Sequence, residues 1–277
     1  MSSYERYDRT STHYDQTRWP IGGEIIVGCL AQGRLPLGAQ IVLDAGCGTA
    51  NYSVALLKHV QRIIAVDRSN GMLAVAQQKL SAAIHDKQAV LMLASIDAIP
   101  LPSASVDGVM VNQVLHHLAD DPHAGYPLHR QTLHELARVL RPGGVMVINS
   151  CSHQQITDGY WPYHLIPDAR AAVIRRLMPL DEIEAALRES GLVPKGRFVP
   201  ADAVLQGADY LDSSGPLRAD WRAGDSIWAL ATAGELEGVT RRLCELDERG
   251  ELDAYMARHD AQRQRIGQIT LLYGVKD

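Results

Sequence analysis

The chain has four cysteines in 277 residues, Cys29, Cys47, Cys151 and Cys244, and none of their spacings forms a Cys-x-x-Cys pair or a disulfide framework. Reduced thiols in a cytoplasmic protein are therefore expected. No apolar run approaches the roughly 20 residues that cross a bilayer, and the first twenty residues lack the apolar centre of a signal peptide. Membrane insertion is accordingly not expected. Lys and Arg total 27 against 32 Asp and Glu, for a net charge of -5, and they never form a block. That excludes an electrostatic grip on a nucleic-acid backbone and leaves small molecules as the default partner. The chain has no internal repeat and no low-complexity tract, and nothing in it marks an oligomeric state.

What is present is a chain with 46% hydrophobic residues, long enough to bury a full core. Its most informative stretch runs from Ile41 to Ala50, IVLDAGCGTA. Apolar β-formers at 41–43 suit a parallel strand covered on both faces, and Gly46 and Gly48 allow a tight turn and close approach of backbone to a ligand. A ligand would then sit beyond the carboxyl end of the strand. Two features differ from a dinucleotide site: Asn51 stands where a third glycine would fall, and the acid Asp44 precedes the turn. An anion there repels a pyrophosphate and suits a cation or an amine. A second acid, Asp67, closes the next apolar run about 20 residues beyond the turn, where a carboxylate can accept from both hydroxyls of a ribose.

Strand and helix signals alternate through the first half: strand 41–45, helix 51–59, strand 62–66, helix 70–83, strands 89–94 and 105–111, helix 128–140 and strand 144–150. This is the pattern of a parallel α/β sheet. Beyond Ser150 the alternation fails: 151–167 is rich in His, Tyr, Trp and Pro, helices are expected at 169–177 and 179–190, and a strand at 192–200. Residues 201–233 are mixed, 234–266 are helical, and 268–275 read as a last strand. The organisation expected is an N-terminal arm or lid (1–34), a core (35–150), a lid with helices (151–190), and the last strands of the core (191–277) carrying a helical insert at about 201–266.

Five motifs in order resemble the class I S-adenosylmethionine (SAM)-dependent methyltransferases, in particular the small-molecule methyltransferase type 11 (UbiE-like) group. They are Val42 to Thr49, Ala65 to Leu73, Asp97 to Pro102, Val106 to Val109 and Arg138 to Gly144. The resemblance implies a Rossmann-like α/β fold, a mostly parallel seven-stranded sheet with helices on both faces, with the last two strands forming an antiparallel edge. SAM is the implied cofactor. Carried over to this sequence, Asp44 faces the amino-acid portion of SAM and Gly46 and Gly48 make room for it. Asp67 binds the ribose with Arg68 beside it, Met72 and Ile96 flank the adenine, Asp97 accepts from its amino group, and Asn112 meets the methionine portion with Gln113 next to it. Each has a plainer alternative: turn or helix capping for Asp44, Asp67 and Asn112, and core filling for Met72.

Arms like the Tyr- and Asp-rich stretch before Pro20 fold over the cofactor in the resembled group, which makes Tyr14 a candidate contact to the sulfonium and Arg18 a partner for the SAM carboxylate. A solvated arm is the alternative. His116 and His117, with His123, His129 and His134 nearby, lack a compact ligand pattern, so no metal is expected; His117 is the candidate general base. Tyr160, Trp161 and Tyr163 are candidates for the acceptor pocket or, equally, for a hydrophobic seam, and Trp221, Arg222, Asp225 and Trp228 raise the same question. The expected activity is transfer of the sulfonium methyl group to a small molecule. Its rivals are acceptor-free cyclisation or cleavage of SAM, which releases methylthioadenosine, and noncatalytic SAM binding. A dinucleotide-dependent oxidoreductase is disfavoured by Asp44 and the missing third glycine.

Overall fold

The structure, a computed structural model, describes residues 19–118 and 120–277. Strand β1 (Ile41–Ala45) is where the sheet begins, and Val42, Leu43 and Ala45 are fully buried, as a strand covered on both faces requires. It pairs in parallel with β2 (Arg62–Asp67) and β4 (Val106–Asn112); β2 pairs with β3 (Ala89–Leu93), and β4 with β5 (Leu140–Ser150). Strand β6 (Leu192–Phe198) forms the edge, and β7 (Thr270–Lys276) lies antiparallel between β5 and β6. The seven strands are ordered β3-β2-β1-β4-β5-β7-β6. This is the Rossmann-like, mostly parallel α/β fold, and strand order reverses between β1 and β4.

Helices follow the strands. Helix α1 (Gly23–Leu30) buries Ile26, Cys29 and Leu30; α2 (Asn51–Leu56) leaves the glycine turn; α3 (Asn70–Lys79) and α4 (Ser81–His85) follow β2. The single helix expected over 70–83 is broken at Leu80, whose side chain is buried with Ala76 and Ala89. Helix α5 (Pro127–Val139) starts on a proline and buries Leu133, Leu136 and Ala137. It passes without a loop into β5, because Leu140 is already extended and pairs with Val106. The strand expected from 144 thus begins at 140, and Gly143, at φ +77°, supplies the bend inside it.

Helices α6 (His153–Asp158), α7 (Pro167–Ile174) and α8 (Leu180–Glu189) precede β6. Between β6 and β7 lies the long insert, with α9 (Ala219–Ala223), α10 (Ala233–Glu248), α11 (Leu252–Asp260) and α12 (Arg263–Ile266). A capping box of Ser152 and Gln155 opens α6, and the Gln155 amide also donates to the carbonyls of Ile266 and Ile269, each at 2.9 Å. The end of the insert is so tied to the segment after β5. Among the described residues no helix is long and apolar enough to cross a membrane.

Candidate active site

The turn after β1 folds back onto β2: the amides of Gly46 and Cys47 both donate to the Val66 carbonyl, at 2.8 and 2.9 Å. Gly46 has φ +79°, and a Cβ there would stand 2.6 Å from a Val114 methyl. Gly48 has φ +53° and faces open space. Asp67, at the end of β2, braces this turn by accepting from the Gly48 amide and from the Ser69 amide, each at 2.9 Å. It does not cap α3; Ser69 does, accepting from the Met72 amide at 3.2 Å. Two donors use about half of what a carboxylate can accept.

Asp44 is 1% exposed. One carboxylate oxygen accepts from the Ser53 hydroxyl at 2.7 Å, and the other is buried with no partner. Burial pushes its carboxyl up to about 7, the Ser53 bond opposing that rise and the charge of Asp67 adding to it. Asn112, at the end of β4, has both amide atoms buried and unpartnered. Orphaned polar groups of this kind are rare in folded proteins, and these two stand at the carboxyl ends of β1 and β4, where the strand order reverses. The neighbouring Cys47 thiol is driven well above its usual range by burial and then by the charges of Asp44 and Asp67, so it is no thiolate nucleophile.

Beside this corner lies a small, partly open cavity. Gln113, His116 and Cys151, all just beyond the ends of β4 and β5, line one end of it. Gln113 holds an unusual φ of +55° and donates through its amide to the Asn149 side chain at 2.8 Å. Tyr160 and Tyr163 form a wall, and Asp225 to Ile227 of the insert close the side.

Residues 43–148 match the methyltransferase domain family. These residues are a class I SAM-dependent methyltransferase domain. The malonyl-[acyl-carrier protein] O-methyltransferase of Serratia marcescens is 36% identical over 134 residues, 47% of each chain. An uncharacterised methyltransferase of Mycobacterium tuberculosis is 30% identical over 143 residues, 51% of this chain and 66% of that one. The chain therefore spans about half of the first relative and 66% of the second. A crystal structure of an Anabaena variabilis protein assigned as a methyltransferase of an antibiotic biosynthesis pathway superposes with a TM-score of 0.69 at 23% identity, covering 94% of this chain and 99% of that one. That likeness is one of fold.

Within and around the methyltransferase domain, the residues singled out in the sequence occupy several distinct places. Asp44, Gly46, Gly48, Asp67 and Asn112 converge at the ends of β1, β2 and β4. Met72 and Ile96 are buried, Asp97 is half-buried and Arg68 is exposed. Tyr14 and Arg18 lie outside the described residues. Of the two adjacent histidines it is His116 that lines the cavity, whereas His117 does not, although their rings stand 4.1 Å apart. Trp161 is also set apart: it is fully buried, its indole donating to the Tyr210 carbonyl at 2.8 Å and its amide to the Tyr210 hydroxyl at 3.1 Å. It is a seam residue, while its neighbours Tyr160 and Tyr163 face the cavity. Arg222 donates to the Pro216 carbonyl at 2.6 Å and is not among the lining residues.

Sequence reasoning missed Ser53, Tyr52 and Asn149. The Asn149 amide donates to the Tyr52 hydroxyl at 3.0 Å, and that hydroxyl donates to the Ile21 carbonyl at 3.1 Å. The first pair is 97 residues apart, so no local spacing could reveal it. His129, another of the clustered histidines, is buried against Asp120 at 2.7 Å, and among the described residues no group of three or more His, Cys, Asp or Glu gathers as a metal site.

Proposed function

We propose that the protein transfers the sulfonium methyl group of SAM to a small-molecule acceptor held in the cavity beside β4 and β5. The observation that supports it most is Asp44: a buried carboxylate oxygen with no partner, next to a glycine turn with open space, is an incomplete site for a cation. SAM carries an ammonium and a sulfonium, and the unpartnered amide of Asn112 offers a donor and an acceptor to the same methionine portion. The donor set fits the cofactor.

In this reading Asp67 keeps its hold on the Gly48 and Ser69 amides and uses its remaining acceptor capacity on the ribose hydroxyls. Met72 and Ile96 offer apolar faces to the adenine, Asp97 accepts from its amino group, and Arg68 stays at the rim. When bound, SAM supplies an electrophilic methyl on a positive sulfur, so no protein nucleophile is needed and the residues act by holding, orienting and excluding water. For an acceptor that must lose a proton, His116 is the imidazole at the cavity, and His117 acts through its contact with it.

The chain spans about half of the Serratia enzyme, so the acceptor named for that enzyme is not carried over. The deciding experiment is mass spectrometry of the purified protein with SAM, alone and with a metabolite extract. S-Adenosylhomocysteine that forms only with extract is the expected result. Methylthioadenosine formed without acceptor, above the spontaneous background, would instead mean cyclisation or cleavage of SAM, and binding without turnover would mean a SAM-binding protein that is not an enzyme.

A further inference from the structure

Where α11 meets the segment before α7, cationic side chains from four elements gather with few acids to balance them, and we infer that they form a binding site for a doubly charged oxoanion, a phosphate or sulfate group. The inference is independent of methyl transfer and uses none of the residues assigned to it.

Helix α11 packs against the 3-10 turn Trp161–Leu165. His164 of that turn and His259 of α11 bring their rings together, with centroids 4.4 Å apart, and Tyr255, one turn earlier on α11, lies 4.3 Å from His259. Arg170 of α7 reaches the same rings: its Nη1 is 3.3 Å from His164 Nδ1 and 3.4 Å from the Thr157 carbonyl. A guanidinium can only donate, so Nδ1 accepts and His164 keeps its proton on Nε2. Neither acceptor carries a charge to offset that of Arg170. From α10, Arg242 stands over the Tyr255 ring, its Cζ 6.0 Å from the centroid. Tyr255 is buried, His164, His259 and Arg170 are half-buried, and Arg242 and Arg258 are exposed, so the cluster has a floor of rings and opens to solvent on its arginine side.

The acids do not match these charges. Among the described residues no carboxylate lies within 4.0 Å of Arg170 or Arg258, and Glu245 meets Arg242 only in an exposed pair at 3.7 Å. Asp158 is the one carboxylate whose charge favours a proton on His164. Asp260, next to His259 in sequence, is taken up by Arg263 and the Tyr210 hydroxyl. Burial, then the charges of His259 and Arg170, push the His164 imidazole down to about 4; burial, then Arg258, Arg170 and Arg242, lower that of His259. The last turn of α11 favours cations through its dipole, a plainer role that accounts for Arg258 and His259. It does not account for Arg170 and Arg242, which two other helices bring in against that repulsion. A dianionic oxoanion answers the whole set, taking forked bonds from guanidinium groups and N–H donors from the imidazoles. The half-buried place of Arg170 and the two imidazoles favours a small soluble bearer of the group over a lipid headgroup.

The test is calorimetry of the whole chain at low ionic strength with sodium sulfate, whose charge is constant with pH, and with inorganic phosphate. One sulfate per chain is expected, with a Kd at or below about 1 mM. Its affinity should rise at least about threefold from about pH 8 to about pH 6, as the bound dianion draws protons onto His164 and His259. Arg170→Gln and the exposed Arg258→Gln should each weaken sulfate about tenfold while leaving S-adenosylhomocysteine affinity unchanged. Vesicles of phosphatidylcholine with phosphatidic acid should not capture the protein. A Kd weaker than about 10 mM for both anions overturns the inference, as does an affinity that neither variant lowers. Capture by the vesicles without binding of the free anions overturns it in favour of a lipid surface, and a sulfate affinity flat with pH removes the two imidazoles from the site.

Discussion

The corner at the ends of β1 and β4 and the insert between β6 and β7 treat buried polar groups in opposite ways. At the corner, Asp44 and Asn112 keep atoms that no protein group satisfies. In and beneath the insert, polar groups are mostly paired with one another: Tyr163 with Asp225, Tyr210 with Asp260 at 2.5 Å, and Asp260 with Arg263 at 3.0 Å from each oxygen. The Trp228 indole and the Gln206 amide nitrogen are the exceptions. The contrast fits the proposed function, in which the first region takes a ligand and the second holds its shape without one.

The comparison breaks most easily at Asp67. Asp67→Ala should lower S-adenosylhomocysteine affinity by about 3 kcal/mol, roughly 100-fold, from loss of charge-assisted bonds, and calorimetry showing binding within threefold of the unaltered protein would remove Asp67 from the site. Gly46→Ala comes next. It forces a Cβ into φ +79° and against Val114, so a loss of about 2–3 kcal/mol in denaturant unfolding is expected. Gly48→Ala, with space around it, should lose only about 1 kcal/mol.

In the insert, Tyr210→Phe removes a hydroxyl that serves Asp260 and the Trp161 amide, and should destabilise by about 1–3 kcal/mol while leaving S-adenosylhomocysteine affinity unchanged. An affinity that falls with stability would mean that the two regions are coupled after all.

The corner also responds to pH. The folded Asp44 carboxyl holds its proton up to about 7, against 3.8 ordinarily. Between those values the folded chain binds more protons than the unfolded one, so Asp44 makes the ligand-free protein less stable as pH rises through that window. A ligand ammonium favours the ionised form, and S-adenosylhomocysteine affinity should therefore rise with pH, by at most about tenfold per unit, and level off above about 7. Asp44→Asn should flatten both slopes; an unchanged slope would assign the titration elsewhere.

Much of the first region was legible because its signals are local. The bounds of β1, the glycine turn and the acid ending β2 all follow from runs of a few residues, and each lies where expected. Legibility failed where neighbours in sequence part in space. Trp161 sits between Tyr160 and Tyr163 yet turns into a seam, because Tyr210 of the insert meets it there. The cap of α3 was ascribed to Asp67 as its alternative role, but the glycine turn draws that carboxylate away and leaves Ser69 to cap.

The place of β7 has a consequence for how the chain assembles. Strand β6 has one neighbour, β7, and the residues that pair, such as Leu192 and Lys276, are separated by the whole insert. During synthesis β6 emerges first and has no partner until the insert has been made and its closing strand arrives, a loop closure whose entropy grows slowly with length but whose delay does not. A chain halted at Gly267 would carry a nearly finished insert, with the edge of β5 unpaired and β6 detached from the sheet. Strand β7 is therefore the step that covers β5 and brings β6 into the sheet.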